Sequence, residues 1–134
     1  MGHLFSGYIG VTTGAQLRPF LSGNLLMKKL VSCPVETTLE ILGGRWKVLI
    51  IHNLLEGTRR FGELTRLLSG ISARTLSKQL RELETDGIIQ RQDFDETIPR
   101  VEYSLTQLGQ ALHPVLLEME TWGKMVDKMR SEKE

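Results

Sequence analysis

The sequence predicts a mainly α-helical protein with one small β-hairpin, and three observations lead to this fold class. Apolar residues recur at helical spacing in four successive segments, two short segments of β-favouring residues follow, and a long apolar seam ends the chain. A length of 134 residues, 40% of them hydrophobic and 25% charged, is typical of one soluble globular domain. The net charge of +1 neither indicates nor excludes a nucleic-acid partner.

Residues 1–26 differ in composition from the rest of the chain. They contain one charged residue, Arg18, and five of the thirteen glycines. They lack the basic segment, apolar run and cleavage site of a secretory signal, so we expect a cytoplasmic protein with no membrane partner. Because Met27 and the two lysines after it resemble a natural start, we interpret residues 1–26 as cloning-derived or as an upstream misassigned start. An ordered N-terminal arm is the alternative.

Two helices are predicted after this extension. The first follows Ser32, a candidate cap, has Pro34 in its first turn and ends at Gly43-Gly44. The second runs from Trp46 towards Gly57. Its apolar residues nearly encircle the helix, so we expect it to be the buried one.

Two further helices are predicted between Phe61 and Gly87. A short one begins at Phe61 and ends at Gly70, and Ser72 then caps a fourth helix that ends at Asp86-Gly87. The inner face of this fourth helix consists of three leucines, Leu76, Leu80 and Leu83. The sequence thus predicts two helices joined by a tight turn, the second of which is presented outward.

The hairpin is predicted from residues 88–93 and 101–105, which are joined by polar residues that include Pro99. The last three of these helices, this hairpin and a terminal helix indicate a winged helix-turn-helix, with a recognition helix over residues 72–86 and a wing over residues 88–105. We therefore expect a DNA-binding domain over residues 27–105.

Residues 106–134 are predicted to form a dimerisation helix capped by Thr106. Apolar residues recur there at alternating steps of four and three, namely at Leu108, Leu112, Val115, Met119, Trp122, Val126 and Met129. Such a seam is long for a small core to bury, so we expect a homodimer; packing within one subunit is the alternative. Pro114 predicts a kink or a break near His113.

The outward face of the recognition helix is predicted to be basic. Residues 57–81 contain six basic residues against Glu63 alone, a local charge of +5. The residues expected to meet double-stranded DNA are Arg60, Ser72, Arg74, Thr75, Ser77, Lys78, Arg81 and Arg100. Arginine can pair with guanine in the major groove, and Ser72 with the helix amides can hold a phosphate. The alternative is an ordinary solvated helix face.

The wing gives a weaker indication, because residues 82–99 have a local charge of −5 and an acidic tip repels phosphate. We expect Arg100, at the base of the second strand, to make the wing's contact; the alternative is that it pairs with a wing carboxylate. The acidic wing also leaves open a different function, a winged-helix protein-interaction module that does not bind DNA.

The lone cysteine, Cys33, excludes an internal disulfide, and the three histidines show no metal-ligand spacing with it. At a helix N-terminus and downstream of Lys28 and Lys29, its thiolate form is favoured, so it is a candidate redox sensor. An unreactive, partly buried cysteine is the alternative. No phosphate loop, carboxylate pair or Cys-His constellation is present, so we expect no catalytic residues, no metal and no cofactor.

Several motifs together resemble a known family. They are Cys33-Pro34-Val35-Glu36, Gly43-Gly44-Arg45-Trp46-Lys47, Arg60-Phe61-Gly62-Glu63-Leu64, Gly70-Ile71-Ser72-Ala73-Arg74-Thr75-Leu76, Leu80-Arg81-Glu82-Leu83-Glu84, Gly87-Ile88-Ile89, Arg100-Val101-Glu102-Tyr103 and Leu105-Thr106. From Cys33 to about Gly123 this set is similar to the HxlR-type family of winged-helix transcription regulators.

The resemblance implies a homodimeric bacterial regulator, related in architecture to MarR-type proteins, whose dimer is built by helices at both chain ends. It implies that the recognition-helix residues and Arg100 face DNA, and that a cysteine at the position of Cys33 senses oxidants or electrophiles in several members. Thr97-Ile98-Pro99 departs from the family's usual proline pair. We expect a repressor on a pseudo-palindromic operator; the patterns identify no effector.

Overall fold

The computed structural model describes residues 33–134. The predictions for residues 1–26 and for Ser32 as a cap lie outside the described residues. The chain divides into two units, one ending at Gly43 and one spanning Gly44–Glu134. In the first unit, helix α1 spans Pro34–Leu42, with Cys33 at its N-cap and Pro34 at its first position. A proline there removes only an amide that the helix leaves unpaired in any case, which is why the helix begins at this residue.

The second unit has the predicted order of elements, with one addition. Its elements are α2 (Trp46–Leu54), β1 (Arg59–Arg60), α3 (Phe61–Leu67), α4 (Ala73–Thr85), β2 (Ile89–Asp93), β3 (Val101–Leu105), α5 (Gln107–Gln110) and α6 (His113–Glu132). The strands form one antiparallel sheet in the order β1-β3-β2. The predicted winged helix-turn-helix, mainly α-helical with a small hairpin, is confirmed; β1 was not predicted.

The core of this unit lies between α2, α3, α4 and the sheet. Ile50 and Ile51 of α2 are fully buried, as the nearly encircling apolar pattern predicted. The buried inner face of α4 consists of Leu76, Leu80 and Leu83, also as predicted. Because an amphipathic helix turns its apolar stripe to the core, these leucines fix which face of α4 points outward.

The wing is the β2-β3 hairpin, in which Arg91 pairs with Tyr103. The Phe94 amide donates to the carbonyl of Arg100 at 2.9 Å, which closes the hairpin towards its tip. Strand β1 extends the sheet on the other side of β3, where Arg59 pairs with Tyr103. The wing is therefore joined through β3 to the start of α3.

The C-terminal segment is interrupted where it was predicted to be. The hydroxyl of Thr106 accepts the Gly109 amide at 3.1 Å and caps α5, and α6 begins separately at His113 with Pro114 in its first turn. The predicted break near His113 is confirmed. Across the described residues, every helix is too short or too polar to cross a membrane.

Candidate nucleic-acid interface

The start of α4 is held by a side-chain cap, as predicted. The Ser72 hydroxyl accepts the Thr75 amide at 3.1 Å and donates to the Thr75 Oγ1 at 2.9 Å. Both hydroxyls are thus engaged in the helix cap. The first-turn amides of Ala73 and Arg74 have no acceptor within the helix, as is usual at a helix N-terminus.

Three cations form an exposed stripe along α4, which we call the cationic stripe: Arg74, Lys78 and Arg81. Their spacing of four and three residues places them on one side of the helix, opposite the buried leucines. Among residues 33–134, none of the three has a carboxylate within 4.0 Å. The structure thus leaves the charge of the predicted recognition face exposed and unpaired. Ser77, on the flank of the stripe, is exposed as well.

The two arginines of β1, unlike the cations of α4, have carboxylates beside them. Arg59 lies between two carboxylates, Glu56 at 3.2 Å and Glu63 at 3.7 Å. Arg60 is more exposed, and its Nε lies 4.0 Å from a carboxylate oxygen of Glu102. The Glu63 side chain also accepts the backbone amide of Arg60 at 3.0 Å. The fold therefore neutralises much of the charge of Arg59, whereas Arg60 keeps an exposed guanidinium.

Arg100 is held inside the wing. Its guanidinium lies 3.0 Å from a carboxylate oxygen of Glu96 and 3.6 Å from one of Glu102, and it stacks over the Phe94 ring at 3.8 Å. Arg100 is thus paired with two wing carboxylates in the single chain, and its contact with DNA stays a prediction. Arg91 similarly lies 3.6 Å from Asp93. The two arginines of the wing carry little free charge towards a phosphate.

A charged residue that was not among the predicted site residues is buried beside α4. Lys47, in α2, is only 8% exposed, and its Nζ lies 2.8 Å from the Glu82 carboxylate. The hydrogen bond from Lys47 holds the pKa of Glu82 below its ordinary value. Burial instead raises the pKa of Asp86, at the end of α4. These groups line an open cleft of about 480 Å³, together with Lys78, Arg81 and Thr85.

Cys33 exposes its side chain at the N-cap of α1. Across residues 33–134 no group of three or more histidine, cysteine, aspartate or glutamate side chains has the arrangement of a metal site.

The predicted seam of the terminal helix is largely accessible in the single chain. Met119 is 48% and Trp122 66% exposed. The half-buried members of the seam are Leu108, Leu112, Val115 and Val126. Met129, the last member of the seam, is 59% exposed, and two further apolar side chains on α6, those of Leu117 and Met125, are 48% and 58% exposed. A row of exposed large apolar side chains along one helix is typical of a protein interface.

Comparison with known proteins identifies clear relatives. The family of HxlR-like helix-turn-helix proteins matches residues 41–131. The HTH-type transcriptional regulator YdeP of Bacillus subtilis is 47% identical over 103 residues, which cover 74% of this chain and 80% of YdeP. The solved structure of the redox regulator HypR in its reduced form is 41% identical, with a TM-score of 0.71, covering 75% of this chain and 99% of HypR. The solved structure of diamide-treated YodB of Bacillus subtilis is 42% identical, with a TM-score of 0.60, and the match covers 71% of this chain and 95% of YodB.

Proposed function

The chain belongs to the HxlR-like helix-turn-helix family of DNA-binding transcription regulators, and from this premise we propose that it is a homodimeric repressor. It binds a pseudo-palindromic operator, and the two α4 helices enter successive major grooves about 34 Å apart. A dimer seated on a promoter blocks transcription by occupying the DNA. Membership of this family favours DNA as the partner over the protein-interaction module.

The observation that carries the proposal is the unpaired cationic stripe on α4. In a major groove, Arg74, at the start of the helix, reaches base edges first, while Thr75 and Ser77 supply hydrogen bonds. Lys78 and Arg81, further along the cationic stripe, contact the backbone phosphates. Arg60 adds a phosphate contact beside α3. Arg100, through its two ion pairs, stabilises the conformation of the wing.

The division of labour follows the order of the elements. We assign residues 27–105 to DNA binding and residues 106–134 to dimerisation, with the apolar seam of α6 as the contact between subunits. Residues 1–26 take no part in this assignment. Two copies are needed because one helix-turn-helix covers a single half-site.

Replacing Arg74 by alanine is expected to weaken operator binding by about 1 to 3 kcal/mol, because a base-reading pair is lost in the groove. Genome-wide capture of bound fragments supplies the operator, and titration of the labelled fragment gives the affinity. The melting temperature is expected to stay unchanged, because the side chain is exposed.

Arg130→Ala, the same change near the end of α6, serves as the control and is expected to bind as the unaltered protein does. Binding is measured at several salt concentrations, because the neutralisation of phosphates makes affinity fall steeply with salt. Unchanged operator affinity for Arg74→Ala would contradict the assignment of α4 to the DNA interface.

Cys33 carries the proposed response to oxidants or electrophiles. Its thiol is exposed, and related structures include a redox regulator, HypR, and YodB in diamide-treated and quinone-bound forms. In the oxidation by diamide, two thiols lose two electrons and two protons to diamide and form a disulfide. Because the chain has one cysteine, the second thiol belongs to the other subunit or to a small thiol.

Treatment with diamide is expected to lower operator affinity in the unaltered protein and to leave Cys33→Ser unaffected, because serine cannot form the disulfide. Both proteins are titrated before treatment, after treatment and after reduction with dithiothreitol. Recovery on reduction is expected for the unaltered protein. Equal responses of the two proteins to diamide would end the proposal for Cys33.

A further inference from the structure

Lys47 is the one charged residue that the fold buries among residues 33–134. Its side chain is covered along most of its length, and its ammonium lies at the open cleft, 2.8 Å from a carboxylate of the recognition helix, that of Glu82. Removing a lysine from water is costly unless its charge is paired, and Glu82 supplies the opposite charge. The pair therefore links α2 to α4.

Glu82 is the acidic residue next to the cationic stripe. It follows Arg81 directly and lies four residues after Lys78, a spacing at which side chains of opposite charge meet on a helix. Left to itself, Glu82 is thus within reach of Lys78 and would neutralise a cation that the proposed function assigns to a phosphate. In the structure the nearest cation to its carboxylate is instead the ammonium of Lys47, on another helix.

The surroundings strengthen this interpretation. The cleft beside α4 contains a second acid, Asp86, and the stripe residues Lys78 and Arg81 line the same cleft. Among residues 33–134, the cation that lines it from another element is Lys47. Lys47 is 8% exposed and its ammonium lies against Glu82, so the charge that it cancels is that of Glu82.

We propose that Lys47 is a positioning residue for DNA binding: it holds Glu82 away from Lys78 and cancels its charge, so that Lys78 and Arg81 remain free for phosphates. This inference rests on the proposed function of α4. It assigns Lys47 no contact with DNA; its effect passes through Glu82.

The test compares Lys47→Met with the double variant Lys47→Met/Glu82→Gln. Methionine keeps the length and apolar character of the buried stem, and Glu82, with a side chain 40% exposed, stays hydrated. The slope of log affinity against log salt is expected to become shallower by about 0.9 if one phosphate contact is lost. By the same dependence, one contact corresponds to about an eightfold loss of affinity at 0.1 M salt. The double variant is expected to regain both the affinity and the slope.

Two results would overturn the proposal. A Lys47→Met protein that melts and binds as the unaltered protein does would show that Glu82 needs no restraint. A folded double variant as weak as the single one would show that Lys47 acts by itself and not through Glu82. Should melting show that Lys47→Met is unfolded, Lys47→Gln is tested instead; it leaves the charge of Glu82 uncancelled, so it is expected to lose affinity and to be rescued by Glu82→Gln.

Failure of this inference is distinguishable from failure of the proposed function. If α4 does not bind the operator, Arg74→Ala has no effect and the slope for the unaltered protein has no contribution from α4 to lose. If α4 binds but Lys47 has no positioning role, Arg74→Ala weakens binding while both Lys47 variants keep the original slope.

Discussion

Replacing Gly109 by alanine is expected to lower the free energy of unfolding by about 3 kcal/mol, at the upper end of the usual cost of overpacking. Gly109 is buried in α5 against the backbone that leads into β2. An added Cβ would lie closer to the carbonyl oxygen of Ile88 than any real Cβ contact, and 3.0 Å from Cδ2 of Leu105. The leucine can rotate away, but the carbonyl is part of the backbone.

The carbonyl of Ile88 is also held in place by hydrogen bonds from Thr106, which lies at the corner between β3 and α5. The backbone amide of Thr106 donates to the Ile88 oxygen at 3.0 Å, and the Thr106 hydroxyl contacts the same oxygen and that of Gly87. Relief of the clash therefore requires α5 to move away from the end of α4 and the start of the wing. Because the same corner connects the sheet to α6, the change should reach the whole unit and not one loop.

Urea unfolding followed by circular dichroism measures this effect. Gly62→Ala is the matched control, since Gly62 also lies within a helix but an added Cβ there meets only a side-chain atom of Arg66, at 3.8 Å. Alanine at this position is expected to raise stability by about 0.5 to 1 kcal/mol. Similar stability for Gly109→Ala and Gly62→Ala would contradict the packing described at α5.

The elements that the sequence predicted well are those with a periodic pattern and a terminal signal. Helix α4 has both, a leucine repeat and the Ser72 cap, and the structure agrees with its predicted ends to about a residue. The break near His113 followed from the chemistry of Pro114. Strand β1 has neither kind of signal, because Arg59 and Arg60 are two residues without a repeat, and pairing with β3 alone defines them.

The electrostatics of the interface could be predicted only in part. The cationic stripe follows from helix geometry within one segment, and the structure presents it as expected. The neutralisation of Arg59 is local, because Glu56 and Glu63 lie three and four residues away in the chain, and a count that included Glu56 could have indicated it. Arg60 instead lies beside Glu102, which β3 brings next to β1. The pairing of Lys47 with Glu82 joins two helices in the same way. Contacts between distant segments depend on the fold, and no local pattern in a single sequence encodes them.

Replacing Trp122 by aspartate is expected to convert the proposed dimer into a monomer. Trp122 is 66% exposed in the single chain, so its loss removes little of the subunit's own core. Within the proposed interface, however, the tryptophan lies among the apolar residues of the seam, where burying an unpaired carboxylate is strongly unfavourable. Large aromatic side chains also tend to contribute the most to such interfaces.

Sedimentation equilibrium is expected to show the unaltered protein as a dimer and Trp122→Asp as a monomer, with circular dichroism unchanged. Ser131→Asp is the matched control, because it adds the same charge on the opposite face of α6 and is expected to leave the dimer intact. Operator affinity is expected to fall by about 10² to 10⁴-fold for Trp122→Asp, the usual advantage of two linked binding units. If Trp122→Asp remains a dimer, the subunit contact lies elsewhere on the chain, and the operator geometry proposed for the two α4 helices loses its basis.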